Sequence, residues 1–309
     1  MYTTKSPILF LVFNRPSTTT LVFEKIRKVK PKKLYIAADG TRIGNISDVT
    51  RCIEVKNIVS NIDWDCEVKT LFRDENLGCK YAVSSSIDWF FANELQGIIL
   101  EDDCLPSEDF FKFCDEMLHH YAEDDRVRFI NGSNFQNGIK HSDGSYYFSN
   151  LSLVWGWASW RRAWKDYDVE LKKYINNDNY NSFLTIFNNK FLAQDWNDII
   201  NKLHKNQIDT WDYQWAITNM FNNGLSVMPN VNLISNIGFG AGATHTFNGN
   251  SFENLPFGSL DSVIKHPTVY LPSKEADFNS LKIEHNIDYR TKKDQRKRAI
   301  RKLKFWKKK

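Results

Sequence analysis

The chain has 309 residues, of which 42% are hydrophobic, 25% charged and 14% aromatic. This profile is typical of a folded globular protein and excludes a disordered or collagen-like chain. The longest apolar run, at 8–13, is far shorter than the ~20 apolar residues that a membrane span needs. The first residues also lack the pattern of a secretory signal, so we expect a cytoplasmic protein.

Basic residues are concentrated at the end of the sequence. Residues 292–309 contain eleven Lys or Arg and one acid, which leaves 30 basic and 36 acidic residues in 1–291. This acidic body argues against a nucleic-acid-binding protein. Four apolar residues of the tail fall at helical spacing, namely Ala299, Ile300, Leu303 and Trp306. The pattern predicts a basic amphipathic helix on an anionic membrane surface, with a solvated tail or a nucleic-acid contact as the alternative.

Short apolar runs bounded by turn residues predict buried strands at 8–13, 34–38, 68–72, 97–100 and 127–130. Helical periodicity between them predicts helices at 18–29, 47–62, 80–92 and 107–122, the last of them capped by Ser107. Alternating strands and helices predict a mostly parallel sheet with helices on both faces. Ligands of such sheets bind at the carboxyl ends of the strands, so the polar residues there are candidates for a site.

Three consecutive carboxylates, Glu101, Asp102 and Asp103, directly follow the fourth predicted strand. A divalent ion with oxygen ligands would relieve their repulsion and leave coordination positions for phosphate oxygens. A solvated acidic loop is the alternative. The chain has no GxxxxGK[ST] loop, and the first strand is followed by Asn14-Arg15-Pro16 rather than a Gly-rich loop. These absences disfavour a P-loop enzyme and a sugar nucleotidyltransferase, so the metal would have to hold the phosphates.

Other polar residues follow the second and third predicted strands. Asp39 could accept hydrogen bonds from a base or ribose, and Arg42 could meet a phosphate. The segment 76–80 begins a helix whose amino terminus is a suitable place for an anion. The alternative for Asp39 is an ordinary Asp-Gly turn, and the alternative for the segment 76–80 is an ordinary capped turn.

Three further candidates lie in the second half of the chain. Trp157, beside Gly156, could stack on a sugar, although core packing is the commoner use of tryptophan. Asp212 lies among bulky aromatic residues, a setting that suits a general base, with a helix-capping acid as the alternative. His245 belongs to a Gly-rich segment and could close over a metal or diphosphate, with a plain loop histidine as the alternative.

A series of motifs resembles a bacterial nucleotide-diphospho-sugar transferase family. They are VFNRP (12–16), ADGTR (38–42), RDENLGCKYAV (73–83), GIILEDDCLPSEDFFKFC (97–114), SYYF (145–148), WGWASWRRAW (155–164), WDYQW (211–215) and NIGFGAGATHT (236–246). The resemblance spans roughly residues 5–246. The chain is also distantly similar to N-acetylglucosaminyltransferase I, an inverting enzyme of the GT-A fold.

The resemblance implies a GT-A, Rossmann-like α/β fold with a basic helical tail. Residues 1–145 would form the nucleotide-sugar-binding half, 146–270 the acceptor-binding and catalytic half, and 271–309 a carboxyl-terminal extension. The residues expected to contact the nucleotide sugar are Asn14, Arg15, Asp39, Arg42, Asn76, Lys80, Glu101, Asp102 and Trp157.

Individual roles follow from the same resemblance. Asp39 and Lys80 would lie near the base, Asp102 near the ribose and Glu101 near the donor sugar. Asp103 would bind Mn²⁺ or Mg²⁺ directly. His245 would be a second metal ligand, and Asp212 would be the catalytic base.

We therefore expect a metal-dependent glycosyltransferase of bacterial surface polysaccharide synthesis. It would move a sugar from a nucleoside diphosphate, such as UDP-N-acetylglucosamine, to a hydroxyl of a glycan or glycolipid, with inversion. Its tail would hold it on the inner face of the cell membrane. A retaining GT-A enzyme and a non-catalytic carbohydrate-binding or toxin-like protein are the alternatives.

Overall fold

The computed structural model describes residues 2–175, 177–239, 252 and 254–306. Strands and helices alternate in its first part: β1 (Ile8–Val12), α1 (Pro16–Val29), β2 (Lys33–Ala38), α2 (Ile46–Ser60), β3 (Glu67–Phe72), α3 (Gly78–Asn93), β4 (Gln96–Glu101), β5 (Cys104–Pro106), α4 (Glu108–His120) and β6 (Val127–Asn131). The five predicted strands and four predicted helices are confirmed. Ser107 caps α4, because its hydroxyl accepts the Phe110 N–H at 3.2 Å.

The remaining elements are β7 (Tyr146–Ser149), β8 (Trp157–Trp160), α5 (Arg161–Trp164), α6 (Asn179–Phe187), α7 (Lys190–His204), α8 (Asp212–Phe221), β9 (Leu225–Pro229), β10 (Ile234–Asn236), α9 (Lys274–Glu284) and α10 (Ile287–Trp306). The sequence did not predict the four strands β7 to β10. Strands β7 and β8 lie in the aromatic-rich segment 145–164, and β9 and β10 follow α8.

One eight-stranded sheet, in the order β3-β2-β1-β4-β8-β6-β9-β7, forms the centre of the molecule. Six strands run in the same direction, and β7 and β8 run against them. This is the expected Rossmann-like, mostly parallel arrangement. Strands β5 and β10 form a separate antiparallel pair. Residues on both sides of position 145 contribute strands to the large sheet, so the two halves share one framework.

Helices cover both faces of the sheet. Alternate residues of a strand point to opposite faces, and in β1 Phe10 packs with α1, α2 and α4 whereas Leu9 and Leu11 pack with α3, α5 and α8. Each buried side chain of this size contributes roughly 1.5–3 kcal/mol to folding. Strands β1, β2 and β4 are buried along most of their length, whereas the edge strand β3, which was expected to be buried, is partly exposed. Polar side chains gather at the carboxyl ends of these strands.

Trp157 belongs to the core, so the prediction that it stacks on a sugar is wrong. It opens β8, which lies between β4 and β6, and its side chain is 0% exposed. Its ring stacks on Phe129 with 4.9 Å between centroids and lies 5.8 Å from the ring of Trp211. A strand in the middle of a covered sheet presents no side chain to a ligand at this position.

Helix α10 extends to Trp306, as predicted for the tail, and its first turns are attached to α7. Arg290 forms hydrogen bonds of 2.5 and 3.0 Å with the carboxylate of Asp195, and Lys190 pairs with Asp294. Among the described residues no helix is long and apolar enough to span a membrane. The membrane contact of the tail stays a prediction.

Helix α9 is attached to β7 through a buried carboxylate. Asp277, 5% exposed, accepts hydrogen bonds from the hydroxyl of Ser149 at 2.5 Å and the N–H of Asn150 at 3.1 Å. Burial raises the pKa of Asp277 to about 6, despite these bonds. The folded protein therefore favours the protonated carboxyl, and this stabilisation is present below pH 4 and is lost as the pH rises through 6.

Replacement of Asp277 by Asn should reduce the pH dependence of stability. The amide keeps an oxygen for Ser149 or Asn150 and has no charge to bury. Between pH 4 and 7 the free energy of unfolding of the wild type should fall, relative to Asp277→Asn, by up to about 3 kcal/mol, since two pKa units correspond to roughly that amount. Urea denaturation over this pH range measures the difference. A constant difference would show that Asp277 does not titrate on unfolding.

Candidate functional site

A cavity of about 620 Å³ opens at the carboxyl ends of β1 to β4. The predicted site residues that line it are Asn14, Arg15, Asp39, Arg42, Asn76, Glu101, Asp102, Asp103 and Asp212. The first eight follow the four parallel strands, and Asp212 comes from the start of α8. Lys80 and Trp157 do not line the cavity, and His245 lies outside the described residues.

The carboxylates after β4 repel one another. The Asp102 side chain is 10% exposed and that of Asp103 is 18% exposed. Burial, followed by the charge of Asp103, raises the pKa of Asp102 to about 7. Burial also raises the pKa of Glu101 well above its ordinary value, with further contributions from Asp103, Asp102 and Asp212. The structure therefore concentrates negative charge at one point of the cavity.

Arg15 is the cation that faces this charge. Its Nη1 lies 2.6 Å from Oδ2 of Asp103 and 3.7 Å from Oδ1 of Asp102. The backbone N–H of Phe13 donates to Asp102 at 3.2 Å. Arg15 was expected to contact the nucleotide sugar, and in this structure it binds the carboxylates expected to hold metal and ribose.

A divalent ion would fit this site only if a bound diphosphate and water supplied the remaining oxygen ligands. The described residues contain no group of three or more His, Cys, Asp or Glu side chains arranged to hold a metal. Asp103 lines the cavity and offers carboxylate oxygens, the ligand type that Mg²⁺ and Mn²⁺ prefer. The residues fit an ion that one carboxylate holds together with diphosphate oxygens and water, and they do not form a complete protein cage.

Asp39 organises the turn that precedes α3. Its carboxylate accepts hydrogen bonds from the N–H groups of Leu77 at 3.0 Å and Gly78 at 3.2 Å, and from the amide of Asn76 at 2.9 Å. The same Asn76 amide donates to the carbonyl of Gly40 at 2.8 Å. Asp39 and Asn76 thus join the ends of β2 and β3 at the edge of the cavity.

Arg73 is a cavity residue to which the sequence assigned no role. Its guanidinium donates to the hydroxyls of Ser86 at 3.0 Å and Ser85 at 2.8 Å, and burial lowers its pKa. No carboxylate of the described residues lies within ion-pair distance of it. Its position directly after β3 was the available signal, because the ends of β1, β2 and β4 also supply lining side chains.

Arg42 is held by a carboxylate of α2. Its Nε and Nη2 donate to the buried Asp48 at 2.6 and 2.8 Å, and Asn14 donates to the same carboxylate at 2.8 Å. The Arg42 guanidinium holds the pKa of Asp48 at about 2. This ion pair fixes the loop that follows β2, and both Arg42 and Asn14 keep contact with the cavity.

The prediction that Lys80 approaches the base is wrong in this structure. Lys80 is 5% exposed, and its Nζ lies 2.8 Å from Oε1 of Glu170 and 3.3 Å from Oδ1 of Asn206. A buried ammonium needs a charged partner, and Glu170 provides it away from the cavity. The anion expected at the start of α3 is also part of the chain, because the carboxylate of Asp209 accepts the N–H of Lys80 at 3.0 Å.

Asp212 is the first residue of α8 and lines the same cavity as the carboxylate cluster. The hydroxyl of Thr210 donates to its carboxylate. The neighbouring Trp211 and Trp215 are buried, at 2% and 0% exposure. The charge of Asp212 contributes to the raised pKa of Glu101, which places the two carboxylates within electrostatic reach of each other.

Trp155 lines the cavity, two residues before Trp157, the tryptophan predicted to contact the sugar. Trp155 lies on the loop before β8, and its ring contacts Phe239 edge-on at 5.7 Å and Phe135 at 5.4 Å. Between Trp155 and the buried Trp157, Gly156 adopts a φ of +63°. A Cβ at Gly156 would lie 2.5 Å from a side-chain carbon of Ile234, so the turn depends on glycine.

No protein-family model and no curated protein sequence matches the chain. Solved structures with a similar course of chain include HddC from Yersinia pseudotuberculosis, with a TM-score of 0.32 and 10% identity over 52% of this chain and 80% of that one. Another is 4-diphosphocytidyl-2C-methyl-D-erythritol synthase from Anaerococcus prevotii, with a TM-score of 0.34 and 9% identity over 56% of this chain and 78% of that one.

A third is UDP-glucose pyrophosphorylase complexed with UDP-glucose, with a TM-score of 0.27 and 11% identity over 48% of this chain and 64% of that one. At these TM-scores the three structures give no evidence about the activity of this chain.

Removal of Arg15, the cation that faces the carboxylate cluster, should destabilise the protein more at high pH than at low pH. Arg15→Met leaves ionised carboxylates without this partner at pH 8, whereas at pH 5.5 Asp102 is protonated. We expect a loss of about 3 kcal/mol at pH 8 and about 1 kcal/mol at pH 5.5 in the free energy of unfolding. Urea denaturation at both values measures it.

Arg27→Met, on α1, is the matched control, because its partner Asp63 is half-exposed to solvent and stays ionised at both values with or without the arginine. Its effect should be the same at pH 5.5 and 8. If the effect of Arg15→Met were equally independent of pH, the cluster would not have the charge assigned to it.

Proposed function

We propose that the chain is a metal-dependent glycosyltransferase that transfers a sugar from a nucleoside-diphosphate sugar to a hydroxyl of a glycan or glycolipid, with inversion. One observation carries the proposal. The carboxylates of Glu101, Asp102 and Asp103 and the separate carboxylate of Asp212 face the same cavity from different elements. The first group suits a metal-bound diphosphate, and Asp212 is free to serve as the base.

The spacing of the strand ends suits the binding of an extended nucleotide-sugar donor. From β4 to β3 there are three inter-strand steps, or about 14 Å at ~4.8 Å each. With the diphosphate at Asp103, the nucleoside extends along the strand ends towards Asp39 and Arg73. Arg73, whose described partners are two hydroxyls, offers its N–H groups to carbonyl oxygens of the base. This favours uracil or another carbonyl-bearing base.

Asp103 is the residue that would hold Mn²⁺ or Mg²⁺ in this arrangement. A bound divalent ion supplies charge neutralisation for the departing nucleoside diphosphate. Arg15, which lies beside Asp103, would then have its guanidinium close to the same phosphate groups. The raised pKa of Asp102 and Glu101 reflects a cluster that gains stability from added positive charge.

Asp212 takes the proton of the acceptor hydroxyl. As the acceptor oxygen forms its bond to the anomeric carbon, the bond from that carbon to the diphosphate oxygen breaks, and the diphosphate leaves with the electron pair. A positioned base typically contributes ~10²–10⁴-fold to such a step. Buried Trp211 and Trp215 limit the access of water around the carboxylate.

The decisive test is release of nucleotide from a panel of sugar nucleotides with Mn²⁺, with and without chelator. Asp212→Asn keeps the shape of the side chain and removes its basicity, so turnover should fall at least about 10²-fold. Binding of the nucleoside diphosphate, measured by calorimetry, should stay within twofold of the wild type. Asp103→Asn should instead weaken metal-dependent binding.

Asp198→Asn, an exposed position on α7, is the matched control and should leave both quantities unchanged. Full turnover in excess chelator would contradict the metal assignment. Near-normal turnover of Asp212→Asn, or an α-linked product from an α-linked donor, would favour the retaining alternative.

The basic tail supports a location on an anionic membrane surface. Residues 292–309 carry eleven Lys or Arg, and Arg296, Lys297 and Arg298 are exposed on α10. Each basic residue near an anionic surface contributes about 1 kcal/mol. Because α7 fixes the first turns of α10, binding of the tail would hold the body of the enzyme beside a lipid-linked acceptor.

Flotation with vesicles that contain anionic lipid tests the tail. The full chain should float with them, and a chain ending at residue 290 should not, because it lacks the eleven basic residues. Binding should weaken as salt is raised. Neutral vesicles are the control. Equal flotation of the two chains would show that the tail is not the anchor.

A further inference from the structure

The carboxylate of Asp209, in the loop before α8, caps a helix on the nucleotide side of the cavity. Its Oδ1 accepts the N–H of Lys80 at 3.0 Å, and its Oδ2 accepts the N–H of Cys79 at 3.3 Å. Both N–H groups belong to the first turn of α3. The contact joins residues that are about 130 positions apart in the sequence, and it crosses from the second half of the chain to the first.

The start of α3 depends on carboxylates from outside the helix. Leu77, which precedes α3, supplies no side-chain cap. The first N–H groups of a helix have no partner within it. Asp39 accepts those of Leu77 and Gly78, and Asp209 accepts the next two. One helix start therefore connects the strand end at the base side of the cavity to the loop that leads to α8.

A second contact fixes the same loop. Lys80, whose own N–H binds Asp209, extends its ammonium to Oδ1 of Asn206, three residues earlier in the loop, and to Glu170. A Cβ at Gly78 would lie 3.0 Å from Oδ2 of Asp209, and Gly78 has a φ of +74°. Glycine at this position permits the close approach that the capping contact requires.

Asp212 follows Asp209 by three residues, and those residues leave it little freedom. Trp211 is buried against Trp157, and its carbonyl accepts the Tyr167 hydroxyl at 3.2 Å. We propose that Asp209 is a positioning residue. By capping α3 it holds the 205–211 loop so that the carboxylate of Asp212 faces the donor. This inference rests on the proposed function, since it requires that Asp212 be the base.

The chemistry of helix capping provides the test. Asp and Asn accept hydrogen bonds from N–H groups at a helix start, and Ala does not. Asp209→Ala should lower kcat for nucleotide release about 10²-fold, the effect expected of a base displaced by ~1 Å. The Kd for UDP with Mn²⁺ should stay within twofold. Asp209→Asn, whose single amide oxygen can accept one of the two N–H groups, should recover part of the lost kcat, which a role in charge alone would not allow.

Hydrogen exchange measures the capping contact without reference to activity. The amides of Cys79 and Lys80 should exchange faster in Asp209→Ala than in the wild type and in Asp209→Asn. Asp178→Ala, which removes a carboxylate cap from the distant helix α6, is the matched control and should leave kcat unchanged. If Asp209→Ala fails to fold, the comparison of kcat between Asp209→Asn and the wild type still tests the proposal. A 10²-fold loss of kcat in Asp209→Asn would contradict capping as the role of Asp209.

The outcomes separate the two proposals. Faster exchange with an unchanged kcat in Asp209→Ala would overturn the positioning role and leave the proposed function intact. An equal loss of kcat and of UDP affinity would also overturn it, because the defect would then lie in donor binding. A wild-type protein that releases no nucleotide from any sugar nucleotide would overturn the proposed function, and the role of Asp209 with it.

Discussion

The repulsion among three consecutive carboxylates at the end of β4 is the constraint on which the cavity depends. Burial and mutual charge raise the pKa of Asp102 to about 7 and that of Glu101 well above its ordinary value, so ionisation of the whole cluster is unfavourable unless positive charge lies nearby. Arg15 supplies that charge in the structure at 2.6 Å from Asp103. Under the proposed function, this cluster is where a divalent cation and the diphosphate that accompanies it would bind together.

The sheet places further polar side chains along the same edge as this charged cluster, and together they form an extended site. Four parallel strands end at the same edge, and each contributes polar side chains, so charge, hydroxyl and amide groups lie in a row about 14 Å long. The loop and helix that carry Asp212 also line the cavity. The start of α3 joins this loop to the sheet, because it receives Asp39 from the sheet and Asp209 from the loop. In the proposed function, donor binding and proton transfer are therefore carried by different elements that one helix connects.

The alternation of apolar runs and helical periods was sufficient to predict β1 to β4, β6 and α1 to α4, and with them the edge where Asp39 and Asp103 lie. Other features depend on contacts that no local pattern records. Trp155 and Trp157 look alike in sequence, and the strand that begins at 157 buries one and leaves the other at the cavity. Lys80 was assigned to the base by the family resemblance, and its pairing with Glu170, 90 residues away, has no sequence signal.

The measurement that tests the central claim most directly is a crystal structure of the protein with Mn²⁺ and UDP, in which the anomalous scattering of manganese locates the ion. The account predicts that Asp103 and the diphosphate share the ion at the end of β4, with the uracil beside Asp39 and Arg73. It also predicts that the carboxylate of Asp212 remains free of the ion. A nucleotide bound elsewhere, or manganese coordinated without Asp103, would contradict the assignment of this cavity as a nucleotide-sugar site.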